Sequence, residues 1–189
     1  MATDASRGNR GRLVVGWATS AAANDELARM AASFADADCD DVRIVRACRS
    51  CGSDQHGKPY VLGLESRTPI HVSLSRAGQL AVLAVSDAGP VGIDVEARQV
   101  PGRSPDVATW VRKESIVKAT GHGLMVDPDL IDVTPPGSAP ALLAWPAEAP
   151  LDAPAWMFDV KSPEGYVAAA TVLSSIQPEL VMIRSAPGG

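Results

Sequence analysis

The stretch Val91-Gly92-Ile93-Asp94-Val95-Glu96 constrains this chain more than any other. Its apolar residues alternate, as they do in a strand with one face in a core. Residues two apart on a strand project to the same side, so Asp94 and Glu96 emerge together. Paired anions beside a core are costly unless a cation joins them, and hard oxygen donors suit Mg²⁺ or Mn²⁺. The alternative is an edge strand whose acidic face is only solvated. The surrounding chain has to decide between these readings.

With 189 residues, the chain can form one domain or two small, closely packed ones around a real core. Residues 1–12 are polar and basic, lack an apolar h-region and are expected to be a flexible N-terminus. No apolar run is long enough to span a membrane, so the expected address is the cytoplasm and a membrane is not an expected partner. A net charge of −5 argues against a general nucleic-acid binder. Three cysteines, an odd number, do not suggest a disulfide framework.

Leu13–Trp17 reads as a first strand. A helix follows, capped by Asn24 or Asp25, with Leu27, Met30, Ala31 and Phe34 on one stripe. Residues 42–46 read as a strand that carries two arginines, Arg43 and Arg46. The segment from Ala47 to Pro59 reads as a loop. In it Cys48, Cys51 and His56 have the spacing of three zinc-knuckle ligands, but Val61 stands where the fourth would fall. Tetrahedral structural zinc wants four donors, so reduced cysteines packing a loop are the better reading.

The strands His71–Ser75 and Ala81–Val85 then lead through Asp87-Ala88-Gly89-Pro90 into the acidic strand, a pattern that predicts a meander. Ala97 to Pro105 is the expected hinge between a subdomain over residues 13–100 and another over 101–189. Ser104 and Pro105 have the residue types of an N-cap and first helical position, opening a helix that ends at Gly121. On it Trp110, Glu114 and Lys118 share a face. Further strands are expected at 130–133, 141–145, 156–160 and 165–173, with one short strand in the tail from Gln177.

In order along the chain come Gly57-Lys58-Pro59, a serine-bearing strand, G-I-D-V-E, and W-x-x-K-E-x-x-x-K from Trp110 to Lys118. This combination resembles the 4′-phosphopantetheinyl transferases of the small, surfactin-type group, which attach phosphopantetheine from coenzyme A to carrier proteins. The resemblance runs over about residues 44–173, including Gly121-His122-Gly123-Leu124. It implies an α+β fold of two similar, pseudo-twofold-related subdomains, each a small, mainly antiparallel sheet with a packed helix. It implies Mg²⁺ (or Mn²⁺) held by Asp94, Glu96 and Glu114, and coenzyme A as substrate. Arg46, Gly57, Lys58, Pro59, Ser73, Ser75, Arg76 and Lys113 are the implied coenzyme A contacts. Lys118 would neutralise the leaving side, while Glu114, with Glu96 as runner-up, would activate the acceptor hydroxyl. The implied partner is an apo acyl or peptidyl carrier protein, the products are holo-carrier and adenosine 3′,5′-bisphosphate, and a monomer is expected.

Two departures stand out. The family usually shows serine-histidine-serine before the acidic strand, where this chain has Ser73-Leu74-Ser75. Leu74 is expected to point inward with Val72, leaving Arg76 as the expected substitute for the missing histidine, ahead of His71. The segment between Glu96 and Trp110 is also shorter than in the family. A silent coenzyme A- or carrier-binding protein of the same fold is the alternative function.

Overall fold

The computed structural model describes residues 11–47, 51–54, 56–64, 68–98 and 106–183. Strand β1 (Arg12–Thr19) leads into helix α1 (Ala23–Ala35), then β2 (Arg43–Ala47), β3 (Lys58–Leu62), β4 (His71–Ala77) and β5 (Leu80–Ser86). Strand β6 (Val91–Ala97) leads into helix α2 (Val107–Thr120), then β7 (Asp132–Val133), β8 (Leu142–Ala144), β9 (Ala155–Val160) and β10 (Tyr166–Leu173). The two series have the same connectivity: a strand, a helix, a short two-stranded ribbon and a hairpin. In each the first strand pairs with the last, giving orders β1-β5-β4 and β6-β10-β9. Strand β11 (Glu179–Met182) joins the first sheet as a parallel neighbour of β1. The fold is α+β.

Apolar alternation stacks these parts in four layers. Leu13, Val15, Val82 and Ala84 of the first sheet share a core with Val91, Ile93, Val95, Ala168, Ala170 and Val172 of the second. The other face of the first sheet, with Val72, Leu74, Leu83 and Val85, packs on Leu27 and Ala31 of α1. Met30 and Phe34 border that cluster, as the expected stripe requires. Helix α2 covers the second sheet, with Val107 and Val111 against Ala169. Because Ile93 and Val95 lie between the sheets, Gly92, Asp94 and Glu96 fall on the α2 side of β6.

Several local expectations change. The meander stops before β6, whose ladder partner is β10 rather than β5. Gly89 at φ 154° makes the break: a Cβ there would lie 2.0 Å from the Leu173 carbonyl oxygen, and Pro90 O accepts from Leu173 N–H. That contact sends the chain across to the second sheet, although every strand involved alternates correctly. Lys58–Leu62, read in part as loop, is a strand antiparallel to β2. Helix α1 begins at Ala23 with no side-chain cap on Ala22, and Asn24 Oδ1 accepts from Arg76 instead. The cap of α2 is Asp106, whose carboxylate accepts from Thr109 N at 3.0 Å; Ser104 and Pro105 lie outside the described residues. Gly121 ends α2 in the left-handed region at φ 73°, as the sequence predicts.

Gly92 explains the first residue of G-I-D-V-E. A Cβ there would sit 2.0 Å from Ser115 O and 2.3 Å from Ala119 N, both backbone atoms of α2. Gly92→Ala is therefore expected to wedge helix from strand and cost at least about 1–3 kcal/mol, the range of overpacking in a rigid core. Urea denaturation checks it; a loss below about 0.5 kcal/mol, the scale of neutral surface changes, would show that the helix can shift aside.

Candidate active site

The acidic strand meets the first sheet edge to edge, and serines join the two edges. Ser73 Oγ accepts from Ile93 N at 3.1 Å, satisfying a backbone donor of β6. Ser75 Oγ donates to Asp94 Oδ1 at 2.8 Å. Because Gly92 lets α2 lie against β6, Lys118 reaches the same point: its Nζ is 2.6 Å from Asp94 Oδ1 and 2.9 Å from Ser75 Oγ. Three side chains from β4, β6 and α2 thus close a ring around one carboxylate oxygen. The other, Asp94 Oδ2, is buried and has no partner. A buried carboxylate oxygen without a donor is costly. A hard cation is the kind of group that would satisfy it.

Glu96 lies two residues further along β6, and Glu114 one turn before Lys118 on α2; both are half-buried. The donor oxygens of Asp94, Glu96 and Glu114 are not all within 4.8 Å of one another. Among the described residues only Asp38, Cys39 and Asp40 form so tight a group, and these are exposed. Gathering the three carboxylates around an ion therefore requires side-chain movement. The acid–acid–acid donor set fits Mg²⁺ in chemistry, and Asp94 fits it in burial.

The expected coenzyme A contacts are spread over a neighbouring surface. Lys58 Nζ donates to Ala119 O at 2.5 Å, at the carbonyl end of α2, where a cation is favoured. Lys113 Nζ donates to Pro128 O at 3.0 Å. Gly57 adopts φ 104° and accepts from Arg46 through its carbonyl at 3.1 Å. Pro59 is buried at the start of β3. Arg76 donates to Ser20 O and Asn24 Oδ1, both at 3.3 Å. Burial, and secondarily the Arg76 charge, lower the pKa of Arg46.

His71 shares the serine face of β4 by alternation. Burial, then the charge of Lys58, push its pKa below the ordinary value of 6.5. The folded protein thus holds this imidazole neutral where the unfolded chain would bind a proton. The stability it contributes is complete above about pH 6.5 and falls away as pH drops toward the lowered folded pKa. Urea midpoints should accordingly decline below about pH 6.5, and His71→Gln should flatten that part of the profile. An identical acid limb in the variant would exclude His71 as its source.

Residues 101–171 match the family model of the 4′-phosphopantetheinyl transferase superfamily. The matched stretch contains Lys113, Glu114 and Lys118, while Asp94, Glu96, Lys58 and the two serines lie before it. No curated protein matches the chain. The structure thus brings a feature inside the family match, Lys118, onto one outside it, Asp94.

Within the matched stretch, sequence reasoning missed Arg112. Its side chain is 1% exposed and gives Nε and Nη2 to the Asp159 carboxylate at 2.9 and 2.6 Å. Nη1 donates to Thr134 O and Pro135 O, and Nη2 also to Ser138 O. One guanidinium thereby ties α2 to β9 and to the turn after β7. The available signal was helical phase, since Arg112 falls with the buried Ser115 and Ala119. In the cysteine loop, Cys51 Sγ lies 3.2 Å from His56 Nε2, and Cys48 lies outside the described residues.

Proposed function

We propose that this protein transfers the 4′-phosphopantetheine arm of coenzyme A to a serine hydroxyl of an apo acyl or peptidyl carrier protein. The products are holo-carrier and adenosine 3′,5′-bisphosphate, as in the surfactin-type group that the motifs resemble. The observation that carries this reading is Asp94: buried, one oxygen ringed by Lys118 and Ser75, the other unpartnered, and pinned to a helix whose stretch matches a phosphopantetheinyl transferase model.

Asp94, Glu96 and Glu114 would hold one Mg²⁺. Such an ion would offset the charge of the pyrophosphate, the kind of neutralisation on which phosphoryl transfer depends. Lys118 sits beside Asp94 and adds positive charge on the leaving side. Glu114, one helical turn away, takes the proton of the carrier serine, with Glu96 as the second candidate base. Lys58 and Lys113 are held by backbone carbonyls, which directs ammonium groups that have three donors each. With Gly57 and Pro59 shaping the loop, they line the coenzyme A side, while the buried Ser73 and Ser75 hydroxyls are turned to the β6 seam. Arg46 and Arg76 are the remaining cations assigned to the coenzyme A phosphates.

The test is incubation with coenzyme A, Mg²⁺ and a panel of apo-carriers, read by intact mass. A gain of one phosphopantetheine on a carrier is expected, and no gain on any carrier counts against transfer. Leu74 favours a second reading, silent binding, because it packs on α1 and offers no donor to a phosphate. That reading predicts coenzyme A binding without a mass gain.

For the missing histidine contact, Arg76→Ala should weaken coenzyme A binding about tenfold, the scale of one hydrogen bond to a charged group. Titration calorimetry reads it. Unchanged affinity in Arg76→Ala with a clear loss in His71→Ala would move the contact to His71, which stands on the serine face beside Lys58.

A further inference from the structure

The resemblance treats Ser75 as a coenzyme A contact, but its hydroxyl is aimed elsewhere. Its relative exposure is 8%, and that of Asp94 is 4%. The Ser75 O–H donates to Asp94 Oδ1 at 2.8 Å, and the Ser75 oxygen accepts from Lys118 Nζ at 2.9 Å. Lys118 closes the ring onto the same Oδ1 at 2.6 Å. One hydroxyl thus uses both its donor and an acceptor position on the two charged groups of the site. The consequence falls on Asp94, since two donors converge on Oδ1 while Oδ2 is buried and unpartnered. A carboxylate free to rotate about its last torsion could share these donors between its oxygens. Anchored from two sides, it cannot.

We propose that Ser75 is a positioning residue that fixes the rotation of Asp94, committing Oδ1 to Lys118 and reserving Oδ2 for a divalent cation. The inference rests on the metal reading above. Ser73 provides the internal contrast. It bridges the same two strands and is equally enclosed, at 3% exposure, yet its oxygen accepts from the Ile93 backbone N–H and does not touch Asp94. Loosening the strand seam and loosening the carboxylate are therefore separable. The small side chain is part of the device, because a longer residue on β4 would displace Lys118 rather than orient it.

The experiment uses the full chain without coenzyme A, titrated with Mn²⁺ and followed by electron paramagnetic resonance of the free ion. Unaltered protein, Asp94→Asn, Ser75→Ala, Ser75→Thr and Ser73→Ala are compared after thermal melts establish that each is folded. Asp94→Asn should abolish the site. Ser75→Ala should weaken Mn²⁺ binding about tenfold, the equivalent of one hydrogen bond to a charged group, with Ser75→Thr restoring it by returning the hydroxyl. Ser73→Ala should lower the melting temperature and leave Mn²⁺ affinity within about twofold, a change of only a few tenths of a kcal/mol in binding. Equal losses in the Ser73 and Ser75 variants would show that the seam alone matters and overturn the inference. So would binding that is lost in Asp94→Asn but unaltered in Ser75→Ala, an outcome that leaves the metal reading standing. Absence of Mn²⁺ binding in the unaltered chain would overturn both. If Ser75→Ala does not fold, Ser75→Thr decides, because unimpaired Mn²⁺ binding is then required of it.

Discussion

Asp94→Asn is expected to abolish carrier modification while leaving a folded protein. The amide is nearly isosteric, and its carbonyl oxygen can still accept from Ser75 and Lys118 in place of Oδ1. What disappears is the negative charge at the buried position where Oδ2 has no partner. Losing one preorganised electrostatic group in an enclosed site typically costs about 10²–10³ in rate, and the loss here should be at least that large. Asp94→Ala should be equally inactive but also less stable, because it removes the acceptor of two hydrogen bonds beneath α2. The pair of variants thus separates charge from packing. Intact mass of the carrier against time, with far-UV circular dichroism alongside, checks both. Near-normal transfer by Asp94→Asn with Mg²⁺ present would remove Asp94 from the site.

Arg112→Met should cost much of the protein's stability although it lies away from that site. Methionine retains much of the aliphatic length but none of the donors. The carbonyls of Thr134, Pro135 and Ser138 lose their partner, as does the Asp159 carboxylate. Breaking a buried ion pair costs about 3–5 kcal/mol. The low end applies, because the Asp159 side chain is 54% exposed and water can take over part of its solvation. Asp159→Ala should cost at least as much, since it leaves a guanidinium that is 1% exposed with only neutral acceptors. Urea denaturation followed by tryptophan fluorescence measures both. Losses under about 1 kcal/mol would mean that the tie is incidental to the fold.

The two kinds of residue were not equally legible. Asp94 could be found because its strand alternates and because a second carboxylate stands two positions away. Arg112 could not, because in sequence it looks like one more charge on a charged helix between Val111 and Lys113. Its burial depends on Asp159 and on carbonyls more than 20 residues distant. The break at Gly89 is similar: local alternation is satisfied whether β6 pairs with β5 or β10, and only contact with Leu173 discriminates. Asp106 was passed over as a cap for another reason. Ser104 and Pro105 present the same signal just before it, and the actual hydrogen bond goes to Thr109.

The α+β class came from the family resemblance, while local pattern by itself determined the stripe of α1, the end of α2 at Gly121 and the shared face of Asp94 and Glu96. These follow from periodicities of two and 3.6 residues and from glycine's access to positive φ, all properties of a few consecutive residues. The resemblance implied two similar halves, but tertiary structure alone decided which strands pair in each, β1 with β5 and β6 with β10, since local alternation does not choose a partner. It also decided that Ser75 and Lys118 meet on one oxygen of Asp94 while the other is left buried. Residues 19 and 24 positions away converge there because Gly92 has no side chain to hold helix and strand apart.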